Sequence, residues 1–475
     1  MRSAAAQWSE EWVIALLRAS FVAAVAAADP SALLPAALPQ PPDGRLIVVA
    51  AGKAAVQMAR AAWDHYALKH PSTLVEGVVI APRQPGAHTP SHNLALGALE
   101  VRRAAHPTPD RSSQAATLEA LRVVAGAEPG DHVLVLLSGG ASALLCAPRG
   151  VDLKSKAELT RTLLTAGASI GELNSVRKHL SRVKGGQLAE LALGRGARLT
   201  TLAVSDVAGD DPSTIGSGPT VPDPTTFAEA LLVVERLSPQ LTAVRDALAL
   251  GVAGGVPETP KPGVARLAGA DYRLVAGPGG CLTAVVELLR SSGVHVVDLG
   301  PHVEGEARTV GVAHAELVAE LTASRRPDHG AVALVSGGEL TVTVAPPGGA
   351  AAGVGGPNAE YALALLAQLS ERFGLSRGLL PAYGARGSGW ALSVLAADTD
   401  GLDGGGSPVA AGAGGAGALL STSQVSRLSP GALSDALARH DSHALLASVG
   451  GLLVTGPTEV NVNDLRVVLL NPVSA

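Results

Sequence analysis

The chain has 475 residues and a mass of 47.4 kDa, which suggests about two or three domains with room for a large core. Lysine plus arginine (36) and aspartate plus glutamate (41) give a net charge of −5, which disfavours broad electrostatic binding to nucleic acid. Aromatic residues make up only 2% of the chain, too few for base-stacking platforms, whereas 56 glycines and 32 prolines supply abundant turns.

The N-terminal segment and the cysteines indicate the compartment. Residues 10–28 predict an amphipathic helix capped by Ser9, and charged residues interrupt its apolar stretch. Cys146 and Cys281 are too few for a disulfide framework or a zinc site, and we interpret them as small buried hydrophobes in a reducing compartment. We therefore expect a cytoplasmic protein with no membrane partner.

Short apolar runs alternate with longer helical stretches in the first half of the chain. The pattern predicts strands at 45–51, 75–80, 132–137 and 199–204, and helices at 53–65 and 112–125, the second beginning at Asp110 or Arg111. Nearly continuous apolar strands separated by helices are typical of a mainly parallel sheet that is covered on both faces.

The alternation resumes after a stretch dominated by glycine and proline. Strands are predicted at 272–276, 295–299 and 330–335, and a helix at 307–323. The sequence therefore predicts two α/β domains with a cleft between them, an N-terminal domain at 1–250 and a C-terminal domain at 265–475, joined by a linker at 251–264. Glycine-rich runs at 348–356 and 404–417 are interpreted as mobile loops.

Two predicted junctions between a strand and a helix carry glycine where anionic ligands commonly bind. The first places Lys53 at the start of a helix, where the helix dipole disfavours a cation unless an anion lies opposite. The second is Ser138-Gly139-Gly140-Ala141, whose small residues allow close approach of a ligand but lack the spacing of a Walker A loop. A similar turn, ending in Glu339, follows the strand at 330–335.

Carboxylates follow two further predicted strands. Asp206 comes directly after the strand at 199–204, with Asp210 and Asp211 in the same loop, and Asp400 follows an apolar run in the second domain. Such residues suit a magnesium ion or the acceptance of a hydroxyl proton. Helix or turn capping explains Asp211 and Asp400 equally well, so both interpretations stay open.

Basic residues mark a predicted helix over 172–192, which carries Arg177, Lys178, Arg182 and Lys184. Its basic face could neutralise phosphates or a carboxylate, although solvated surface charge is the default for most of the four. One further motif is discounted: Gly412, Gly414 and Gly417 satisfy the dinucleotide fingerprint GxGxxG, but they follow a glycine-rich loop rather than a strand.

Taken together, these stretches resemble the glycerate 2-kinase family, two-domain proteins with a C-terminal MOFRL domain that have also been labelled hydroxypyruvate reductases. The resemblance spans nearly the whole chain, and the stretches that carry it are AGKAA at 51–55, HPTPD at 106–110, LSGGASALL at 137–145, LNSVRKHLSRVKGGQLA at 173–189, SDVAGDDPSTIGSGPTVPDPTT at 205–226, EGEAR at 304–308, SGGELTVTV at 336–344, DTDGLDG at 398–404 and TGPTEVNVNDLRV at 455–467.

The resemblance implies ATP-dependent phosphorylation of D-glycerate at its 2-hydroxyl, with Mg²⁺, in a cleft between a Rossmann-like domain and the MOFRL domain. The family's functional lysine maps onto Lys53, while Asp206 would hold magnesium or activate the hydroxyl and Asp211 is the second metal candidate. The candidates for substrate or nucleotide contact are Ser138, Gly139, Gly140, Ala141, Arg177, Glu339, Asn358, Glu360 and Asp400. The expected partners are D-glycerate and ATP, with no nucleic acid, and we expect a monomer or homodimer.

One departure from the family pattern bears on activity. Family members usually read GGRNQE in the MOFRL domain, and here the stretch is GGPNAE, with Pro357 where the arginine is expected. Proline removes the guanidinium donors and a backbone N–H together. A polar loop expected at 276–280 is also replaced, by AGPGG. Either another cation, Arg177, Arg377 or Arg386, substitutes, or the activity is weakened or redirected.

Two other functions remain as alternatives. An NAD(P)H-dependent hydroxypyruvate reductase is disfavoured because the turn after the first strand, AAGKAA, has one glycine where the dinucleotide fingerprint needs three. A non-catalytic nucleotide-binding homologue draws its support only from the changes at Pro357 and Ala359.

Overall fold

The computed structural model describes residues 8–83, 94–344, 353–382, 388–404 and 414–474. Gly412 and Arg386, together with the glycine runs at 348–352 and 405–413, lie outside these residues. The chain forms two compact units: the first unit is Asp29–Gly277, and the second unit is Met1–Ala28 with Pro278–Ala475. This division corrects the predicted boundaries at 250 and 265, because the strand that follows the predicted linker pairs with the sheet of the first unit.

The N-terminal helix α1 (Glu10–Ala26) belongs to the second unit, not to the unit that follows it in sequence. Its predicted cap is confirmed, since the N–H of Trp12 donates to the Ser9 Oγ at 3.3 Å. Leu17 and Phe21 are buried on its inner face, which packs against the helix Pro278–Ser291. Glu10 accepts hydrogen bonds from Ser421 and Ser423, so the first helix is also tied to the far end of the chain.

By length and composition alone, one stretch of the described residues could cross a membrane. It is Glu10–Ala37, with a mean hydropathy of 1.7 over its most apolar window. A buried core helix or a signal sequence passes the same test, so this finding is weak support for a membrane span.

The first unit alternates helices and strands as predicted. In chain order these are α2 (Pro30–Ala37), β1 (Leu46–Ala51), α3 (Ala55–Lys69), β2 (Val75–Pro82), β3 (Leu94–Leu96), β4 (Leu99–Ala104), α4 (Arg111–Ala125), β5 (His132–Leu137), α5 (Ala141–Leu144), α6 (Leu153–Thr165), α7 (Ile170–His179), α8 (Gln187–Gly194), β6 (Arg198–Val204), α9 (Phe227–Leu237), α10 (Thr242–Val252) and β7 (Ala270–Ala276). Of the two predicted starts of α4, Asp110 is the cap, and its carboxylate accepts from the N–H of Ser112 at 2.8 Å.

The sheet of the first unit has the order β3-β4-β2-β1-β5-β6-β7, and every neighbouring pair is parallel except β3 with β4. Strands β1 and β5 are buried along their whole length, which is why they read as continuous apolar runs. Because these strands are adjacent and parallel, the loops that leave their carboxyl ends meet at one edge of the sheet.

The helix predicted over 172–192 is wrong as a single element, since the chain breaks between α7 and α8. Gly185 and Gly186 have φ angles of +60° and +80°, a left-handed conformation that side-chain-bearing residues rarely adopt. The apolar spacing continues across the break, so the sequence pattern does not reveal it. As a consequence Lys184 points into the interior and is only 1% exposed.

The second unit continues with helices and strands of mixed length. They are α11 (Pro278–Ser291), β8 (His295–Asp298), β9 (Gly305–Glu306), α12 (Ala307–Ser324), β10 (Val332–Ser336), β11 (Leu340–Thr341), α13 (Pro357–Phe373), β12 (Leu379–Pro381), β13 (Ser388–Asp398), β14 (Gly417–Leu420), α14 (Thr422–Val425), α15 (Pro430–Arg439), α16 (Ser442–Ser448), β15 (Leu452–Leu453) and β16 (Asp464–Ser474).

The main sheet of the second unit is mixed, with the order β15-β14-β13-β16-β10-β8 and β12 paired to β13. Among the described strands of this sheet only β10 and β8 pair in parallel, so the alternation of strands and helices in the sequence does not produce a parallel sheet here. Helices α12 and α13 pack together over a core that includes Tyr361 and Trp390, both fully buried. The overall class is α/β in two units, as the sequence predicts.

Candidate functional site

The loops after β1 and β5 are joined at the carboxyl edge of the first sheet. The N–H of Lys53 donates to the carbonyl of Gly139 at 2.8 Å, and the N–H of Ala54 donates to the Ser138 Oγ at 3.0 Å. Gly52 makes this contact possible, because a Cβ on it would lie 2.1 Å from the Ser138 Oγ. The structure thus brings together the two glycine junctions that the sequence singles out in this unit.

Asp206 lies close enough to this edge to interact with Lys53. It follows β6, the strand next to β5, and both side chains are partly buried. Burial raises the pKa of the Asp206 carboxyl, and the positive charge of Lys53 lowers it again in part. A carboxylate with a raised pKa beside an ammonium is an arrangement suited to accepting a proton while the cation attracts an anion.

Asp211 forms a turn rather than joining this pair. Its two carboxylate oxygens accept from the N–H of Ser213 at 2.9 Å, from its hydroxyl at 2.7 Å and from the Thr214 hydroxyl at 3.0 Å. Burial pushes the pKa of Asp211 upward, but these hydrogen bonds outweigh it and leave the pKa below its usual value. Among the described residues no group of three histidine, cysteine or acidic side chains is placed to hold a metal ion.

Gly140 and Ala141 begin the short helix α5 beside a cavity of about 380 Å³ within the first unit. Gly140 has φ +81°, and a Cβ on it would lie 2.8 Å from the His106 Nε2. Arg177 lines the same cavity. So do Lys156 and Lys184, two buried cations that sequence reasoning missed as site residues. Lys184 belongs to the basic run of 172–192, in which the sequence predicts most charges to be solvated.

Asn358 occupies the start of α13 in the second unit and is 1% exposed. The carboxylate of Asp403 accepts the N–H groups of Asn358 and Ala359 at 2.9 and 2.8 Å, while the Asn358 side chain donates to Asp464 at 2.7 Å. Pro357 fits the first helical position, where its missing N–H has no intrahelical partner to lose. The polar atoms that hold this helix start are therefore supplied from within the protein.

Glu360, a predicted candidate for substrate or nucleotide contact, is likewise engaged inside the second unit. It is 2% exposed, forms an ion pair with Arg308 and interacts with the His440 Nδ1 at 3.1 Å. Asp400 holds a turn, since its Oδ1 accepts from the N–H of Leu402 at 2.9 Å. Glu339 is exposed just after β10.

A buried cation that the sequence did not single out anchors this part of the second unit. Arg466 is 1% exposed and donates to Asp464 at 2.9 Å and to the Ser336 Oγ at 3.1 Å. Burial raises the pKa of Asp464 to about 6, against the opposing charge of Arg466. Of the cations expected to replace the family arginine, Arg377 is exposed on the surface, and Arg386 lies outside the described residues.

Comparison with known proteins identifies the family. Two family models match: the one described as "Domain of unknown function (DUF4147)" over residues 16–249, and the MOFRL family over residues 332–464. The chain is 34% identical to "Glycerate 2-kinase" of Pyrococcus horikoshii over 90% of this chain and 88% of the relative. The chain belongs to the glycerate kinase family. A relative from Agrobacterium vitis, 38% identical over 98% of this chain and 96% of its own length, carries the name "Putative hydroxypyruvate reductase".

The solved structures agree with membership in the glycerate kinase family. A crystal structure of glycerate kinase from Thermotoga maritima matches 97% of this chain and 99% of its own, with 31% identity and a TM-score of 0.74. The similarity therefore extends over both units. The DUF4147 match covers most of the first unit, which carries Lys53 and Asp206, and the MOFRL match lies wholly within the second.

Proposed function

We propose that this member of the glycerate kinase family transfers the γ-phosphoryl group of ATP to the 2-hydroxyl of D-glycerate. The observation that carries the proposal is the pair formed by Lys53 and Asp206 at the carboxyl edge of the first sheet. The names of relatives as glycerate kinases support the reaction class.

In this reaction the oxygen on C2 of D-glycerate attacks the γ-phosphorus of ATP. A new P–O bond forms while the bond from that phosphorus to the β,γ-bridging oxygen breaks, and ADP leaves with the electron pair. The carboxylate of Asp206 accepts the hydroxyl proton, a role that its raised pKa favours. The ammonium of Lys53 stabilises the negative charge on the phosphoryl oxygens.

Magnesium fits the site as an ion that the nucleotide brings with it. Mg²⁺ is commonly held by one or two carboxylates, water and substrate phosphates rather than by a protein cage. A carboxylate that holds the ion does not also accept the hydroxyl proton, so metal binding by Asp206 is the alternative to its role as the base. Of the two metal candidates Asp211 is the less suited, because both of its oxygens already accept hydrogen bonds. When bound, the ion neutralises charge on the phosphates.

The absence of the family arginine at Pro357 supports a slower reaction than the family's usual one. Asn358 and Glu360, its neighbours in α13, are engaged by other side chains and do not replace a guanidinium. We therefore propose that the chain binds its nucleotide and turns over D-glycerate at a reduced rate.

The test compares two reactions of the purified full chain. Release of ADP from ATP is measured with and without D-glycerate, and oxidation of NADH or NADPH is measured with hydroxypyruvate. We expect glycerate-dependent ADP release, reduced by roughly 10²–10³ in Lys53→Met, since this is the usual cost of losing one stabilising group. Lys69→Met is the matched control, because Lys69 lies exposed at the C-terminal end of the helix that follows Lys53. Nicotinamide oxidation without ADP release would establish the reductase instead.

A further inference from the structure

The cavity beside Gly140 is lined by cations without any carboxylate. Its described lining includes Lys156, Arg161, Arg177 and Lys184, together with His106, and contains no aspartate or glutamate. A cavity of about 380 Å³ falls within the range of small-molecule sites in proteins. The charge of its walls therefore selects for an anion.

The two lysines of this cavity are deeply buried and incompletely bonded. Lys156 is 4% exposed, and its ammonium donates to the carbonyl of Leu180 at 3.3 Å. Lys184 is 1% exposed and donates to the carbonyls of Ser142 and Gly216 at 2.9 and 3.2 Å. An ammonium has three donors, so each lysine retains at least one for a ligand.

Arg177 adds five further donors to the same cavity. Within the described residues its guanidinium forms no hydrogen bond and no ion pair, although the residue is partly buried. Burial lowers the pKa of Arg177, and burial together with the charges of Lys156 and Arg177 lowers the pKa of Lys184. Burial and mutual repulsion make three neighbouring cations unfavourable when no acidic side chain lies among them, unless a bound anion supplies the negative charge.

A neighbouring lysine shows how the same fold treats a structural cation. Lys178 is 3% exposed, a burial similar to that of Lys156, yet it forms an ion pair with the buried Asp223 at 3.4 Å. The two lysines differ in having or lacking a carboxylate partner, and only Lys156 lines the cavity.

We propose that the cavity lined by Lys156, Arg177 and Lys184 is a binding site for the phosphate group of a small phosphorylated ligand. This inference rests on the proposed function for the two natural sources of such a group, the nucleotide and the phosphorylated product. The site adjoins the catalytic pair through the glycine turn, because Gly140 lines the cavity while the preceding Gly139 accepts from the N–H of Lys53.

A phosphate group matches this cavity better than a single carboxylate. A phosphomonoester carries a charge of about −1.5 to −2 at neutral pH and three strong acceptor oxygens. It can therefore accept from both ammonium groups and the guanidinium at once, whereas a carboxylate of charge −1 leaves most of the positive charge unbalanced.

The test measures binding to the full chain by isothermal titration calorimetry and by the rise in Tm, with inorganic phosphate, ADP and 2-phospho-D-glycerate as separate probes. Lys156→Met and Arg177→Met are compared with Lys178→Met. We expect phosphate affinity to fall roughly tenfold or more in the first two variants, because each removes a charged donor. Lys178→Met should retain phosphate affinity and lose stability, since it leaves Asp223 buried without its cation.

The stability of the phosphate-free variants separates a ligand site from a structural one. Replacing an uncompensated buried cation by methionine should leave Tm unchanged or raise it, whereas loss of a structural cation lowers it. If 2-phospho-D-glycerate binding depends on Lys156 and ADP binding does not, the site holds the product phosphate, and the reverse result assigns it to the nucleotide.

Three results would overturn the inference: phosphate affinity unchanged in Lys156→Met and Arg177→Met, a Tm that falls in Lys156→Met as it does in Lys178→Met, or tighter Lys156-dependent binding of D-glycerate than of any phosphorylated probe. Binding of inorganic phosphate is measured without turnover. A chain that lacks glycerate kinase activity but binds phosphate through Lys156 therefore overturns the proposed function and leaves this inference standing.

Discussion

The N–H of Lys53 donates a hydrogen bond to the carbonyl oxygen of Gly139 at 2.8 Å. This bond ties the start of one helix to the glycine turn after the neighbouring strand, so the backbone of the lysine is fixed from a second element. The same turn leads into the cavity with the buried lysines. A change that separates the two loops is therefore expected to affect both stability and the proposed chemistry.

Gly52→Ala tests this connection. Gly52 has φ +134°, and a Cβ would overlap the Ser138 Oγ, so we expect a loss of roughly 1–3 kcal/mol in the free energy of unfolding and a lower kcat. Gly254→Ala is the control, because Gly254 also has a positive φ but no atom within 4 Å of the added Cβ. Urea denaturation of both variants checks the prediction, which fails if the two lose equal stability.

Asp206→Asn tests the proton acceptor. As a base, Asp206 works only when it is ionised, so kcat should fall as the pH drops through a pKa that burial raises above the usual aspartate value. In Lys53→Met this fall should move to higher pH, because the Lys53 charge lowers that pKa. In Asp206→Asn we expect kcat to be lower by a factor of roughly 10²–10⁴, and the fall of kcat at low pH should be absent.

The measurement is the pH profile of kcat at saturating ATP and D-glycerate. Wild-type protein assayed at several Mg²⁺ concentrations is the reference. If excess Mg²⁺ restores the rate of Asp206→Asn, the carboxylate holds the metal rather than accepting the proton.

Pro357→Arg tests the effect of the missing family arginine. The substitution places a guanidinium at the first position of α13. A residue other than proline is tolerated there, because the helix does not require the fixed φ of proline at its first position. We expect glycerate-dependent ADP release to rise by roughly tenfold or more, as for other groups that stabilise transition-state charge. Pro357→Ala, which restores the N–H without the charge, should leave the rate low. A wild-type kcat of about 10 per second, ordinary for an enzyme, contradicts the proposed weakening.

His314 is expected to make the stability of the second unit depend on pH. It is 5% exposed, its Nδ1 is 2.8 Å from the Tyr361 hydroxyl, and burial lowers its pKa to about 4. Because the unfolded chain binds this proton more readily, the contribution is fully present above about pH 6.5 and is lost as the pH falls toward 4. Between pH 7 and pH 5 the free energy of unfolding is expected to decrease by about 2 kcal/mol because of His314.

Urea denaturation at both pH values checks this expectation. His314→Leu should reduce the difference between pH 7 and pH 5 by about 2 kcal/mol. Tyr361→Phe removes the hydrogen-bond partner but keeps the imidazole, so most of the pH dependence should remain. An unchanged difference in His314→Leu argues against a titrating His314.

Local sequence patterns are sufficient to predict the strands that precede Lys53 and Asp206. Strands β1, β5 and β6 are continuous apolar runs, and parallel strands end at a common edge, so the placement of Lys53, Ser138 and Asp206 at that edge follows from the sequence. That their loops meet depends on the strand order β1-β5-β6, which only the structure shows. Such patterns are visible because a strand buried on both faces must be apolar throughout its length.

Charge pairing could not be predicted in the same way, because it depends on which distant elements pack together. Lys178 and Lys184 stand six residues apart in one basic run, yet one reaches Asp223 and the other lines a cavity without acids. Asn358 and Glu360 resembled ligand contacts in sequence, but Asp464 and Arg308, which lie far away in the chain, engage their side chains.

The sequence by itself determined the α/β class, the family and the residues at the edge of the first sheet, since these depend on local periodicity and on motifs contiguous in the chain. Only the tertiary structure decided that the chain divides at Gly277 and that the N-terminal helix belongs to the second unit. It also decided that Lys156, Arg177 and Lys184 line one cavity. Burial and the pairing of charges are properties of residues brought together from separate elements, and no local pattern records them.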